Sequence, residues 1–535
     1  MADKGERQLL KSSFGVGAAT LLSRILGLLR VRLEATVLGG GEFASGWFLA
    51  FAIPNLLRRL LGEGALGTAL IPLVAQAEHD NPERVRRELA VIFTALSALL
   101  AAIVVLIAGG TLLLRELVWD SNIAFFNTER MRLTLILLPI LMPYGFFICL
   151  VGAIGAVLNY AKVFVLPALG ALLLNLFLIG GLAAGSMLGI SADRMPPFLS
   201  LLAVLVLISG FVQLMLMLLL LAWYGRFPLL KRSSFRDAGV LSRLWKLALP
   251  GMIGGAALQI SFVVDRLLAV WIGPRAVPAL TFVDRIVDLP IGIFALSLGA
   301  VLMASMSRSA AAGDTSRLAD ELFFGLRHVY FACIPMAVAV IIFHRPMLEL
   351  FCLGGNYTVE ALAAARWVAV FYGAGIPCFC SIKVLLPAFY SRKDMITPLK
   401  FSLIAIAANV LLNLALMFPL QQGGLALATV LASMLNNTLL ITRLRRDGLR
   451  VEGRALLFSG ARALIAAAVA AAAAFGAENW LDGRIAATGW MAMFAIFMLV
   501  MAVYGVIYLL AARLLRAPEI AEIFPLLLRR RRQRE

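Results

Sequence analysis

Four charged residues interrupt the apolar stretch LSRILGLLRVRLEATVLG at residues 22–39: Arg24, Arg30, Arg32 and Glu34. A charge at the centre of a bilayer costs roughly 2.5–3.5 kcal/mol on insertion scales, so three guanidinium groups in one apolar helix need a use or a partner. Guanidinium is permanently charged, and its forked donors match carboxylate and phosphate oxygens. Arg24 and Arg30 stand about 9 Å apart along a regular helix and about 120° apart around it. They therefore share a wide aqueous cavity, or Gly27 bends the helix. Two blander roles compete: Arg30 pairing with Glu34 one turn on, and Arg32 snorkelling to an interface. Arg24 has no acid one turn away in either direction.

Further charges lie in later apolar runs. PNLLRRLLGEGALG carries Arg58 with no acid one turn away, and Arg59 four residues before Glu63. Pro54 and the glycines at 62, 64 and 67 predict a bent or broken helix, tolerable at membrane depth where it lines a cavity. FVDRIVDLP sets Arg285 beside Asp284 and three residues before Asp288, so a local ion pair competes with a cavity role. Arg366, Lys383 and Arg462 interrupt later spans. A cavity built from Arg24, Arg30, Arg58 and Arg285 would attract a phosphorylated or carboxylated substrate and repel cations. A second polar set comprises Asp265, Asn409, Asn413 and Thr429, whose oxygens could ligate a small coupling cation such as sodium. Interhelical hydrogen bonding is the other use of such residues.

The elements that position these groups are membrane spans. The 535-residue chain is 62% hydrophobic and 15% charged, with a mean hydropathy of +0.94, against about 45–50% and 25% for soluble chains. Apolar runs predict an all-α polytopic protein of about fourteen transmembrane helices, at 12–38, 43–74, 89–113, 131–157, 164–187, 198–224, 243–272, 277–305, 323–343, 361–389, 397–418, 424–442, 455–476 and 488–514. The formal charge of +18 is scattered through short loops, which speaks for orientation and anionic lipid rather than nucleic acid. Cations gather at the N-terminus (Lys4, Arg7, Lys11), in the second, sixth and twelfth connections, and in the tail (Arg529 to Arg532, Arg534). Both termini are therefore expected in the cytoplasm, with the third connection (Arg115, Arg130, Arg132) the weakest fit. The five cysteines, mostly within spans, read as small buried hydrophobes rather than a disulfide or metal framework.

The chain also repeats itself. GTALIPLVAQ at Gly67 resembles GAVLMASMSR at Gly299, and AVLNYAKVFVLP resembles PAFYSRKDMITP at nearly the same offset, about 231–232 residues. Two parallel six-helix halves around a central cavity follow, residues 1–230 and 231–450. Residues 451–535 add two helices and a basic cytoplasmic tail. Such repeats favour a transporter whose halves rock about a central site.

At this point the chain resembles the MurJ/MviN lipid II flippases of the multidrug/oligosaccharidyl-lipid/polysaccharide exporter superfamily. The resemblance covers nearly the whole chain and is carried by SRILGLLR, WFLAFAIPNLLRRLLGEGALGTALIPL, VDRIVDLPIGIFALSLGAVLMASMSR and LLPAFYSRKDMITPLK. The family's essential cavity arginines match Arg24, Arg30, Arg58 and Arg285. The coupling-cation site of some members falls near Asp265, Asn409, Asn413 and Thr429. Two positions depart from the family's pattern of acids: Val31 directly after Arg30, and Ser45 before the aromatic segment. The resemblance implies a non-enzymatic transporter of the bacterial inner membrane, with no cofactor beyond a coupling sodium ion or proton. It flips an undecaprenyl-pyrophosphate-linked disaccharide-pentapeptide for peptidoglycan synthesis by alternating access, with membrane lipids and the peptidoglycan machinery as partners. It further implies a groove at the last two helices for the polyprenyl tail. Rival readings are a flippase for another polyprenyl-linked glycan such as an O-antigen unit, a multidrug antiporter, a glycan polymerase and a non-transporting scaffold.

Overall fold

Thirty-odd-residue apolar helices dominate the chain because almost every run between charged loops is long enough to satisfy its own backbone hydrogen bonds in a lipid phase. The computed structural model describes residues 22–522, apart from breaks at 63–69, 72, 75, 77–81, 120–122, 162, 164, 229–237, 450–451 and 483–488. Helix α1 covers 22–38, and α2 (Glu42–Leu57) runs into a π-helical turn, Arg58–Gly62. There follow α3 (Pro82–Val118), α4 (Glu129–Tyr160), α5 (Val165–Leu188), α6 (Met195–Trp223) and α7 (Ala238–Ile272). Helix α8 (Ala276–Pro290) passes through a second π turn, Ile291–Ala295, into α9 (Leu296–Ala311). The chain continues through α10 (Thr315–Ile342), the short α11 (His344–Phe351), α12 (Val359–Tyr390), α13 (Ile396–Arg446), α14 (Gly453–Asp482) and α15 (Trp490–Leu514). Among the described residues, eight helices are long and apolar enough to cross a membrane.

Over the described residues, each expected span falls on helix. The eleventh and twelfth share α13, which kinks at Gln421 (φ 50°) two residues after Pro419. The expected break after Pro54 is the first π turn. Its counterpart follows Pro290 directly and begins at 291, 233 residues after 58, close to the repeat offset. Both copies thus carry a π turn within four residues after a proline. Lys4, Arg7, Lys11, Glu63, Gly67 and the tail arginines Arg529 to Arg532 and Arg534 lie outside the described residues.

Two compact units result. The first holds residues up to Pro278 together with Gly354–Ala361, and the second holds Ala279–Leu353 with Leu362 onward. In the first unit, α2 crosses α4 where a Cβ on Gly46 would meet the Arg130 carbonyl at 3.0 Å. Small residues let apolar helices approach in this way without a hydrophobic driving force between them. Arg130 binds Glu42 from both backbone and side chain (2.9 and 2.7 Å) and donates to the Val270 carbonyl at 3.2 Å, joining α2, α4 and α7. Asn356 closes the far end of α1: its amide donates to Thr36 O at 2.8 Å and its Nδ2 to Val37 O at 2.7 Å. A helix C-terminus leaves such carbonyls without intrahelical donors.

In the second unit, Gly299 of α9 lets α12 approach, since a Cβ there would meet the Lys383 carbonyl at 2.6 Å. An alanine face of α14 (Ala466, Ala467, Ala470, Ala471, Ala474) packs against Val500, Tyr504 and Tyr508 of α15. Both tyrosine hydroxyls donate to carbonyls of α10, Tyr504 to Pro335 at 2.7 Å and Tyr508 to Phe331 at 2.6 Å. The cysteines are free thiols, all buried except the half-buried Cys378.

Candidate functional site

The arginines of the first unit meet different surroundings. Arg30 Nε lies 3.5 Å from Glu34 Oε1, and its Nη1 donates to Asn175 Oδ1 of α5 at 2.9 Å. Asn175 Nδ2 in turn donates to Ser23 O at 3.4 Å. The local pairing open in the sequence is thus present, and Asn175 extends it into a tie between α1 and α5. Arg24 is half-buried on α1, and the half-buried Arg58 opens the π turn. Arg32 lies against Gly354. Arg59, whose sequence partner Glu63 is outside the described residues, donates to Gln259 Oε1 at 3.1 Å. Its guanidinium stands 5.2 Å from the Phe262 ring centre, and that of Arg266 stands 4.5 Å from the same ring. Two cations against one aromatic ring is a cation–π arrangement that apolar spacing does not reveal. Arg24, Arg30 and Arg58 therefore belong to the first unit, and Arg285, half-buried on α8, belongs to the second.

The second polar set is brought together in part. Asn413 Nδ2 donates to Asn409 Oδ1 at 3.1 Å, Asn409 Nδ2 to Thr429 Oγ1 at 3.2 Å, and Thr429 Oγ1 to Leu425 O at 3.0 Å. This chain of bonds bridges the two limbs of α13 across the Gln421 kink, which is the interhelical use of Asn and Thr. A cation entering here would compete for the Asn409 and Thr429 oxygens, which already accept hydrogen bonds. Asp265 is buried on α7 of the first unit.

Both positions that depart from the family's acids are packed. Val31 is 2% exposed, and Ser45 is fully buried with its hydroxyl donating to Pro274 O at 2.6 Å. Neither presents a carboxylate, and Ser45 instead ties the start of α2 to the end of α7. The seam between α14 and α15 is filled by the alanine–tyrosine core described above. A cavity of about 750 Å³ lies on another face of α14, against α10 and α12, with Arg445 at one end. Sequence reading missed Asn175, Gln259 and Asn356; a lone Asn within LLLNLFL was the one signal for the first.

With this geometry in hand, known proteins can be compared. The family model described as lipid II flippase MurJ matches residues 34–505. A probable lipid II flippase MurJ from Vibrio cholerae is 30% identical, covering 86% of this chain and 88% of its own. One from Rhizobium tropici is 31% identical, covering 86% and 85%. A solved lipid II flippase MurJ in an inward closed conformation superposes with a TM-score of 0.72 at 21% identity, over 94% of this chain and 99% of that one. An inward-facing MATE-family multidrug transporter superposes with 0.63 at 15% identity, over 80% and 96%; these two likenesses speak for the fold.

Proposed function

This chain belongs to the lipid II flippase MurJ family, and we infer from that membership that it is a multi-pass membrane transporter that moves lipid II across the cytoplasmic membrane for peptidoglycan synthesis. The match over residues 34–505 is the observation that carries the reading. Lipid II joins a disaccharide-pentapeptide to a polyprenyl chain through a diphosphate, so its headgroup needs a polar, cation-rich route and its tail does not. No bond in it has to be made or broken, so no catalytic group is required.

At the level of residues, the proposal places the diphosphate on Arg24, Arg58 and Arg285, with Arg30 shaping the same region through Glu34 and Asn175. Guanidinium forks suit phosphate oxygens, and a dry cavity strengthens each contact. The two six-helix halves, 1–230 and 231–450, rock about this site in alternating access, with residues 451–535 as an addition. Both termini face the cytoplasm, in keeping with the cation-rich loops. A negative-inside potential favours return of an empty cationic cavity inward, at about 2.3 kcal/mol per charge per 100 mV. A sodium ion at Asp265, Asn409, Asn413 and Thr429, or a proton, would contribute to the same step. The peptidoglycan synthases that consume flipped lipid II are the expected partners.

The test is complementation of flippase-depleted cells. Arg24→Ala, Arg58→Ala and Arg285→Ala should each reach the membrane at normal levels yet leave lipid II accumulating on the inner leaflet. Full complementation by all three would remove the arginine site, and normal lipid II turnover on depletion of the chain would remove the function.

A further inference from the structure

The cavity beside α14 is elongated and chemically polarised. Its walls are α10 from Tyr330 to Ile341 and α14 from Gly453 to Leu464, with Ala374 and Pro377 of α12 between them. Each flanking stretch advances eleven residues, about 16 Å of helix. That is close to half of the roughly 30 Å hydrocarbon core of a bilayer, the depth of one leaflet. The walls are apolar and end in a single guanidinium, that of Arg445.

That end carries positive charge twice over. Gly453 begins α14, and a Cβ on it would lie 2.6 Å from Arg445 Nη2. Glycine thus lets the guanidinium rest against the first turn of the helix, where amide groups without intrahelical acceptors and the helix dipole are also positive. Arg445 is exposed, so an anion arriving at this end of the slot meets two positive groups at once. The neighbouring acids do not fill that place. Asp447 is held between Arg392 at 3.1 Å and Arg443 at 3.0 Å. Glu452 is exposed, as are Arg446 and Arg454. Among the described residues Arg445 makes no ion pair.

We propose that this slot is a binding site for an anionic glycerophospholipid, its phosphate on Arg445 and the first turn of α14, its acyl chains along α10 and α14. Basic pockets between transmembrane helices on the cytoplasmic side hold such headgroups, and a volume of about 750 Å³ lies within the usual range for a lipid- or drug-sized ligand. The one-leaflet length favours an acyl lipid over a polyprenyl chain many units longer, whose diphosphate the proposed function directs elsewhere. Assignment to the inner leaflet rests on the cytoplasmic termini of that function; the headgroup assignment does not.

The full chain, purified in detergent, would be incubated with dioleoyl phosphatidylglycerol, dioleoyl phosphatidylcholine or undecaprenyl phosphate, and retained lipid measured by native mass spectrometry. The protein should retain the glycerol lipid about tenfold better than the choline lipid. Arg445→Ala should erase that preference and Arg445→Lys keep most of it, separating loss of charge from loss of fold. Gly460→Leu, projecting towards Ile334 across the slot, should release both lipids. Arg445→Ala should still complement flippase-depleted cells, so a failed flipping site and a failed lipid site are read apart. Equal retention of the two phospholipids, or an unchanged preference in Arg445→Ala, overturns the proposal. So does displacement of phosphatidylglycerol by undecaprenyl phosphate through Arg445, which would give the slot to the substrate.

Discussion

Arg30 offers a direct measurement of whether a membrane arginine is a strut or a ligand. Its Nε stands 3.5 Å from Glu34 Oε1, with the carboxylate 2% and the guanidinium 15% exposed. At an effective dielectric of about 20 that separation is worth about 5 kcal/mol of attraction before desolvation is subtracted. Breaking such a buried pair from one side costs about 3–5 kcal/mol, because the surviving charge stays in a poor solvent. Arg30→Ala should therefore lower the thermal midpoint of the detergent-purified protein by several degrees, at about 2 °C per kcal/mol for a unit of this size. Glu34→Ala should cost less, since Asn175 still accepts from Arg30 at 2.9 Å. The double variant removes both charges and should recover at least about 1.5 kcal/mol against the sum of the two singles. Each variant would also be scored for lipid II on the inner leaflet. A stable double variant that still fails to flip makes Arg30 a headgroup ligand as well as a strut, and one that flips makes it a strut alone. Strict additivity of the singles would refute the reasoning, because the pair would then carry no coupling at all.

Two further outcomes are expected. Arg327 of α10 pairs with the buried Glu519 at 3.3 Å and with Glu522, while Ser459 Oγ donates to Glu519 at 2.6 Å; Arg327→Ala should cost about 3–5 kcal/mol and expose the residues after α15 to limited proteolysis, whereas Arg327→Lys should restore most of the protection. Between α12 and α13, burial works to raise the Asp394 carboxyl, but the Thr397 amide and hydroxyl, the Ile396 amide and Arg392 prevail and hold it below its usual value. A depressed folded pKa means its contribution is present above the ordinary value of about 3.9 and lost as pH falls through the lowered one, so the destabilisation by Asp394→Ala seen in thermal melts at pH 7 should shrink towards zero in acid.

The spans were legible because apolar run length in a bilayer is nearly a one-dimensional property. So was the irregular turn after Pro54, since a missing amide and three glycines act locally. The eleventh and twelfth spans were separable at Pro419, and the backbone does leave helical geometry there, at Gln421. The site was less legible. Spacing alone could name Glu34 as a partner of Arg30, one turn away on the same helix, but not Asn175, which is 145 residues on. The Asn356 contact with Val37 spans 319 residues and depends on where a loop lands. Arg59 adds another long-range case: Gln259 and Phe262, which it meets, lie 200 residues or more away.

The two departures from the family's acids gain meaning from the same long-range geometry. At the start of α2 the carboxylate is not missing but sits one turn earlier, as Glu42, where Arg130 binds it through both its backbone and its guanidinium. Ser45, facing the same end of α7, makes a neutral hydrogen bond to Pro274 O at 2.6 Å. A proton taken up at position 45 is therefore not available to this chain, and one taken up at Glu42 would have to break a charge-assisted pair first. At position 31 a carboxylate would enter a packed surface rather than water, since Val31 is buried. At the N-terminal end of α2 the Glu42 carboxylate thus joins α2 to the guanidinium that also holds the Val270 carbonyl of α7.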